Sequence, residues 1–131
     1  MIADGEIYSK NNRIYNNQGS AFMCQHGKVF DEGSQIYDNI GAFGVAFFAF
    51  IGCEVTLDGT VMQNNKALTN GGAIDARRLG TQLIANNITV TGNQAVSKGG
   101  GVFIENSAFI NISDSTITNN SAPVGSAFYL V

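Results

Sequence analysis

Proline occurs once and tryptophan not at all in these 131 residues. Charged side chains make up 13%, well below the roughly one quarter usual in soluble domains. The seven Lys and Arg are scattered, so no basic stripe marks a nucleic-acid partner. The longest apolar run, AFGVAFFAFIG at 42–52, is too short for a bilayer, which takes roughly 20 residues. The opening MIADGEIYSK has no basic segment leading into an apolar one, so it carries no signal-peptide pattern. The single histidine, His26, sits in Gln-His-Gly-Lys with no partner nearby and reads as a turn residue. Two cysteines, Cys24 and Cys53, are too few for a disulfide framework. An apolar share of 44% excludes a disordered chain. The length suits one domain.

What the chain does have is a repeat. An aliphatic residue followed three places later by Asn recurs at Ile14–Asn17, Ile36–Asn39, Val61–Asn64, Val90–Asn93 and Ile117–Asn120. A second motif follows each one: Gly, a small or β-branched residue, Ala or Gly, then a large apolar residue. Its glycines are Gly19, Gly44, Gly71, Gly99 and Gly125, spaced 25, 27, 28 and 26 residues apart. Ordered motifs at a near-constant period are the mark of a solenoid. Short β-branched or aromatic alternations precede each aliphatic–Asn motif, with turn residues after them. No apolar stripe of helical period runs for three turns. The expected fold is all-β: a right-handed parallel β-helix of about five coils of about 26 residues, three short strands per coil. Residues 1–131 read as one such segment, expected to be part of a longer chain, because neither end shows a polar capping repeat.

Alternation assigns the faces. Phe22, Phe47, Ile74, Val102 and Phe128 stack inward, with Cys24, Ala49, Ala76, Ile104 and Leu130 two places on. Ile7, Val29, Val55, Leu83 and Ile110 form a second inward column. Ile14, Ile36, Val61, Val90 and Ile117 form a third. Cys24 and Cys53 fall inward in different columns, which argues against a simple bridge, and read as buried small apolar residues. Asn17, Asn39, Asn64, Asn93 and Asn120 recur at one turn and are expected to form a hydrogen-bonded ladder. Met23, Phe48, Phe103 and Tyr129 point outward around Asp75 and form a candidate contact face.

Together the two motifs resemble the repeats of the chlamydial polymorphic outer-membrane proteins, marked by GGA followed by Ile, Leu or Val and by FxxN. Gly71-Gly-Ala-Ile74 matches in full and Gly99-Gly-Gly-Val102 nearly so. The other coils keep Gly-x-Ala with Phe last, and Ile or Val stands in the Phe place of FxxN. Many surface proteins with the pectin-lyase-like β-helix share such repeats. The resemblance implies a surface or passenger-type β-helix with adhesive or structural roles, and it carries over no catalytic residue.

Candidate chemistry is sparse. Asp75, Arg77 and Arg78 form the densest charged cluster. A polysaccharide lyase or hydrolase needs several acids beside a base on one face. Phe48 and Phe103 flank Asp75 instead, and Glu105 offers Arg77 an ordinary surface ion pair. Thr89/Thr91 and Thr116/Thr118 repeat in two coils only, too few for an ice-binding face. Asn87-Ile-Thr, Asn111-Ile-Ser and Asn119-Asn-Ser are glycosylation sequons in a secreted chain. The expectation is a non-enzymatic structural or adhesive module, extracellular or at the cell surface, with no catalytic residues, cofactor or metal. Its partners would be further coils, protein subunits or glycans, meeting the ends and the outward apolar face. The alternative is a carbohydrate-active β-helix enzyme or a fragment of one.

Overall fold

A computed structural model describes residues 2–106 and 108–131. Among them the only regular elements are strands. One coil shows the plan: Lys28–Glu32, Gln35–Tyr37, Ile40–Gly41 and Phe47–Phe50. Each strand pairs in parallel with its counterpart one coil away, so the chain is a solenoid of stacked turns. Sheet 1 holds six strands, from Ile2–Ala3 through Phe22–Gln25, Phe47–Phe50, Ile74–Arg77 and Val102–Glu105 to Phe128–Leu130. Sheet 2 holds five: Glu6–Lys10, Lys28–Glu32, Glu54–Asp58, Gln82–Asn86 and Phe109–Ser113. Sheet 3 holds five three-residue strands, starting at Arg13–Tyr15 and ending at Thr116–Thr118.

The middle coils carry a fourth strand beyond the three expected. Ile40–Gly41, Lys66–Ala67 and Gln94–Ala95 form sheet 4. Two residues are too few for alternation to register in a sequence. Single bridges from Gln18 to Ile40 and from Gln94 to Ser121 carry the pairing into the flanking coils.

The interior follows the alternation. Phe47, Ile74 and Val102 are buried in register, with Phe22 and Phe128 packed against the core at the two ends. Burying such side chains stabilises by roughly 1.5–3 kcal/mol each. Corners return the chain inward through left-handed backbone. Asn16, Asp38, Asn64, Gly92 and Asn119 hold one corner with φ between +53° and +66°, a region that Asn and Gly tolerate. His26 occupies another such corner at φ +51°. The second glycine of the Gly71-Gly72 pair has a steric reason as well. A Cβ on Gly72 would collide with the carbonyl oxygen of Gly100 in the next coil.

Two sequence expectations are corrected here. The third coil is shifted by one residue. Met62, not Val61, pairs with Ile36 and Val90 and is fully buried, while Val61 lies level with Gln35 and Thr89. The ladder member is accordingly Asn65, not Asn64. Asn64 takes the left-handed corner place and is exposed. Either residue of an Asn doublet satisfies the motif, and Val61 and Met62 are both apolar, so spacing alone chose wrongly. The second correction is the cysteine pair. Cys24 and Cys53 form a disulfide with Cα atoms 5.8 Å apart. Cys24 belongs to sheet 1, and Cys53 stands just past the next sheet-1 strand, four residues beyond its mate Ala49. The corner at Ile51 and Gly52, both left-handed, turns Cys53 back into the interior. Columns on adjacent walls of a prism can meet across its corner.

The asparagine column is a continuous hydrogen-bond chain. Asn39 Oδ1 accepts from the backbone N–H and the Nδ2 of Asn17, at 3.0 and 3.1 Å. Asn65, Asn93 and Asn120 repeat this toward Asn39, Asn65 and Asn93 at 2.9–3.1 Å. Each of those amides also donates Nδ2 to a carbonyl of the preceding coil, such as Ile36 O from Asn65 at 2.9 Å.

Candidate functional site

The most open chemistry lies on the outer face of sheet 2. Period-two alternation sends Glu54, Thr56 and Asp58 outward while Val55 and Leu57 are buried. Parallel register then builds three outward columns. The middle one runs Tyr8, Phe30, Thr56, Ile84, Asn111. One flank runs Lys10, Glu32, Asp58, Asn86, Ser113, and the other begins Glu6, Lys28, Glu54.

Tyr8 and Phe30 stack with ring centroids 4.9 Å apart and planes 6° from parallel. Tyr8 remains 74% exposed. Its hydroxyl donates to Glu6 at 3.0 Å. That hydrogen bond, with the carboxylate's charge, holds the phenol above its usual titration range. Lys10 pairs with Glu32 at 2.9 Å and Lys28 with Glu54 at 3.1 Å. The Glu54 hydrogen bond also raises the Lys28 ammonium above its ordinary value. Between the aromatic column and the Lys10–Glu32–Asp58 column lies a groove of about 330 Å³. Its inner neighbour Asp31 is buried and accepts from Ser34 and Thr60, each at 2.6 Å. The sequence showed this face only weakly, since aromatics fill the middle column in just two coils.

The Asp75 cluster is arranged differently from its sequence reading. Asp75 is fully buried, and Arg77 grips both of its oxygens with Nε and Nη2. Arg77 thus pairs with Asp75 rather than with its register neighbour Glu105. The guanidinium carbon lies 4.7 Å from the Phe43 ring centre and 4.8 Å from that of Phe103. Such cation–π contacts strengthen as water is excluded. Burial raises the Asp75 carboxyl to about 6, against the opposing pull of the Arg77 hydrogen bonds and charge. Arg78 stands apart, exposed at φ +74°.

The candidate contact face on sheet 1 is corrected by the same contacts. Phe103 is buried, and Met23, Phe48 and Tyr129 are half-buried. Phe43 stacks on Phe48 at 5.3 Å, and Lys98 lies over the Tyr129 ring at 4.6 Å. Phe43 and Lys98, from the corners before two of the sheet-1 strands, fold back over Phe48 and Tyr129, so the chain itself covers part of the outward stripe.

A family description, right-handed β-helix region, fits residues 2–130. The chain belongs to the right-handed β-helix family. No curated protein and no solved structure matches it. On this β-helix the three sequon asparagines, Asn87, Asn111 and Asn119, are exposed, Asn87 and Asn119 at left-handed corners. Among the described residues no three His, Cys, Asp or Glu side chains converge as a metal site. No helix there is long and apolar enough to cross a membrane.

Proposed function

We propose that this β-helix is a structural and adhesive module of an extracellular or cell-surface protein, working by contact and not by catalysis. The Cys24–Cys53 bridge carries the reading, because disulfides persist in oxidising compartments and are rare in reducing ones. Other features support it. The charged cluster that stood out in the sequence is closed on itself, with Asp75 inaccessible and Arg77 held between aromatic rings. A hydrolase or lyase needs such groups open to substrate. The sheet-2 face is open, rigidly spaced and mixed in chemistry, as a contact surface should be. The exposed sequons suit a glycoprotein whose sugars project from one half of the helix.

The test is to isolate the protein from its native source with thiols blocked at lysis, then digest it with trypsin. Peptides 14–28 and 29–66, which hold the two cysteines, should be recovered linked. Recovery of both as alkylated free thiols would overturn the extracellular assignment. Separately, the chain should release no products from acidic polysaccharides in calcium. Turnover abolished by Arg77→Ala would overturn the non-catalytic one.

A further inference from the structure

We infer that the sheet-2 groove is a docking site for a basic peptide segment of a partner protein, taking an arginine or lysine side chain against Phe30 and Asp58. The inference rests on the adhesive reading above and names the partner chemistry for its open face.

Three observations converge on a cation. The first is the aromatic wall. One face of Phe30 is covered by Tyr8, and the next coil in the same column carries the smaller Thr56. The column therefore steps down at Thr56 and leaves room beside Phe30 within the groove. A guanidinium or ammonium over a ring face is attracted by its quadrupole. This chain already uses that contact at Arg77 and Lys98.

The second observation is charge. The outward columns of sheet 2 carry Glu6, Glu32, Glu54 and Asp58 against Lys10 and Lys28. That is four carboxylates to two ammoniums, a surplus of two on this face out of a chain net charge of −3. Lys10 engages Glu32 and Lys28 engages Glu54. Asp58 is exposed, and its contact is the amide of Asn86 at 3.4 Å. Of the exposed carboxylates lining the groove, Glu32 and Asp58, it is the one that no amine holds, and it lies on the same strand as Thr56.

The third is dimension. The groove is about 330 Å³, ample for one long side chain. It follows columns that repeat every ~4.8 Å, so an extended backbone can lie along it with side chains entering between rungs. A neutral oligosaccharide could also meet an aromatic wall, but it would leave the carboxylate surplus without a counter-charge.

The neighbouring coils supply conservative variants. Thr stands above Phe30 in its column, and Asn stands above Asp58 in its own. Phe30→Thr and Asp58→Asn should therefore fold, as thermal melts would verify. The probe is a fluorescein-labelled peptide of alternating Gly and Arg, read by anisotropy against the full chain. A second peptide carries citrulline in place of Arg, keeping shape without charge. Free arginine amide tests whether a lone cation suffices. The Gly-Arg peptide should bind more weakly as salt rises, and the citrulline peptide at least tenfold more weakly. Arginine amide should bind more weakly than the peptide. Phe30→Thr and Asp58→Asn should each weaken binding about two- to fivefold. Asp114→Asn, on a corner outside the groove, should change nothing.

Absence of saturable binding would overturn the proposal. So would equal binding of the citrulline peptide, since charge would then play no part, or an equal loss in Asp114→Asn, since net charge alone would then explain the attraction. Binding of arginine amide as tight as the peptide would refute an extended segment along the groove. Saturable binding of neutral oligosaccharides, abolished by Phe30→Thr, with none of the Arg peptide, would refute the ligand class. It would leave the adhesive reading standing, which the cysteine chemistry tests on its own.

Discussion

Asn65→Ala is the sharpest perturbation of the scaffold. Asn65 is fully buried. Its Oδ1 accepts from the Asn39 backbone N–H at 3.1 Å and from Asn39 Nδ2 at 3.0 Å. Its Nδ2 donates to Ile36 O and Asn93 Oδ1, at 2.9 and 3.0 Å. Truncation leaves some partners provided for. Asn39 Nδ2 keeps the carbonyls of Ile14 and Tyr37, and Asn93 Oδ1 keeps the Asn65 N–H. It deprives the Asn39 N–H and the Ile36 carbonyl of their amide partner. Each buried group so stranded costs about 1–3 kcal/mol, for a loss of roughly 2–6 kcal/mol. In a domain of this size that lowers the melting temperature by at least ~6 °C. Asn64→Ala is the control. Asn64 is exposed at φ +53°, so alanine costs only the left-handed strain, about 1–2 kcal/mol, and Asn64→Gly should cost less. Thermal melts of the three variants by circular dichroism decide. If Asn64→Ala melts at or below Asn65→Ala, the ladder register described here is wrong.

Three further outcomes follow from the same structure. Replacing both cysteines with alanine should lower unfolding free energy by about 3–4 kcal/mol, the chain-entropy value for a loop of this length, as read in urea; no change would mean the bridge does not form. The Asp75 carboxyl is higher in the folded state, about 6, than its ordinary 3.8. The folded chain therefore holds the proton more tightly, and stability should fall as pH rises from about 4 to about 6, by up to ~3 kcal/mol. Urea melts across that window check it, and Asp75→Asn should flatten the slope. Ile51 is β-branched yet left-handed at φ +50°, a place that Asn106 fills in a later coil. Ile51→Asn should raise stability by about 0.5–1 kcal/mol; a lower melting temperature would show that Ile51's packing outweighs its strain.

Much of the fold was legible because a solenoid writes its period into the chain. Phe47, Ile74 and Val102 announce their column by alternation and by the glycine three residues before each. Legibility failed where two residues served equally well. Asn64 and Asn65 both satisfy the spacing, and only the corner backbone separates them. It failed again where contacts cross walls. Cys24 and Cys53 sit off register by four residues, and only the turn at Ile51–Gly52 brings them together. Exposure was the hardest property to read. Alternation places Phe103 outward, but it cannot reveal that Phe43 and Arg77 fold over the same face. The sheet-2 groove was hidden for a related reason: its wall is two aromatic rings 22 residues apart, a pair too sparse to stand out as a motif.

The bridge between Cys24 and Cys53 also sets how far the molecule can be stretched. Tension along the axis loads coil-to-coil hydrogen bonds in series, so turns should peel away from an end one at a time. Fully drawn out at ~3.4 Å per residue, 131 residues would reach roughly 440 Å. The bridge removes the contour between its cysteines, about 100 Å, by fixing their Cα atoms 5.8 Å apart. Under oxidising conditions the second coil is therefore a closed loop that force can unwind but not lengthen. Reduction would return that slack, making the tether's reach a function of its redox surroundings.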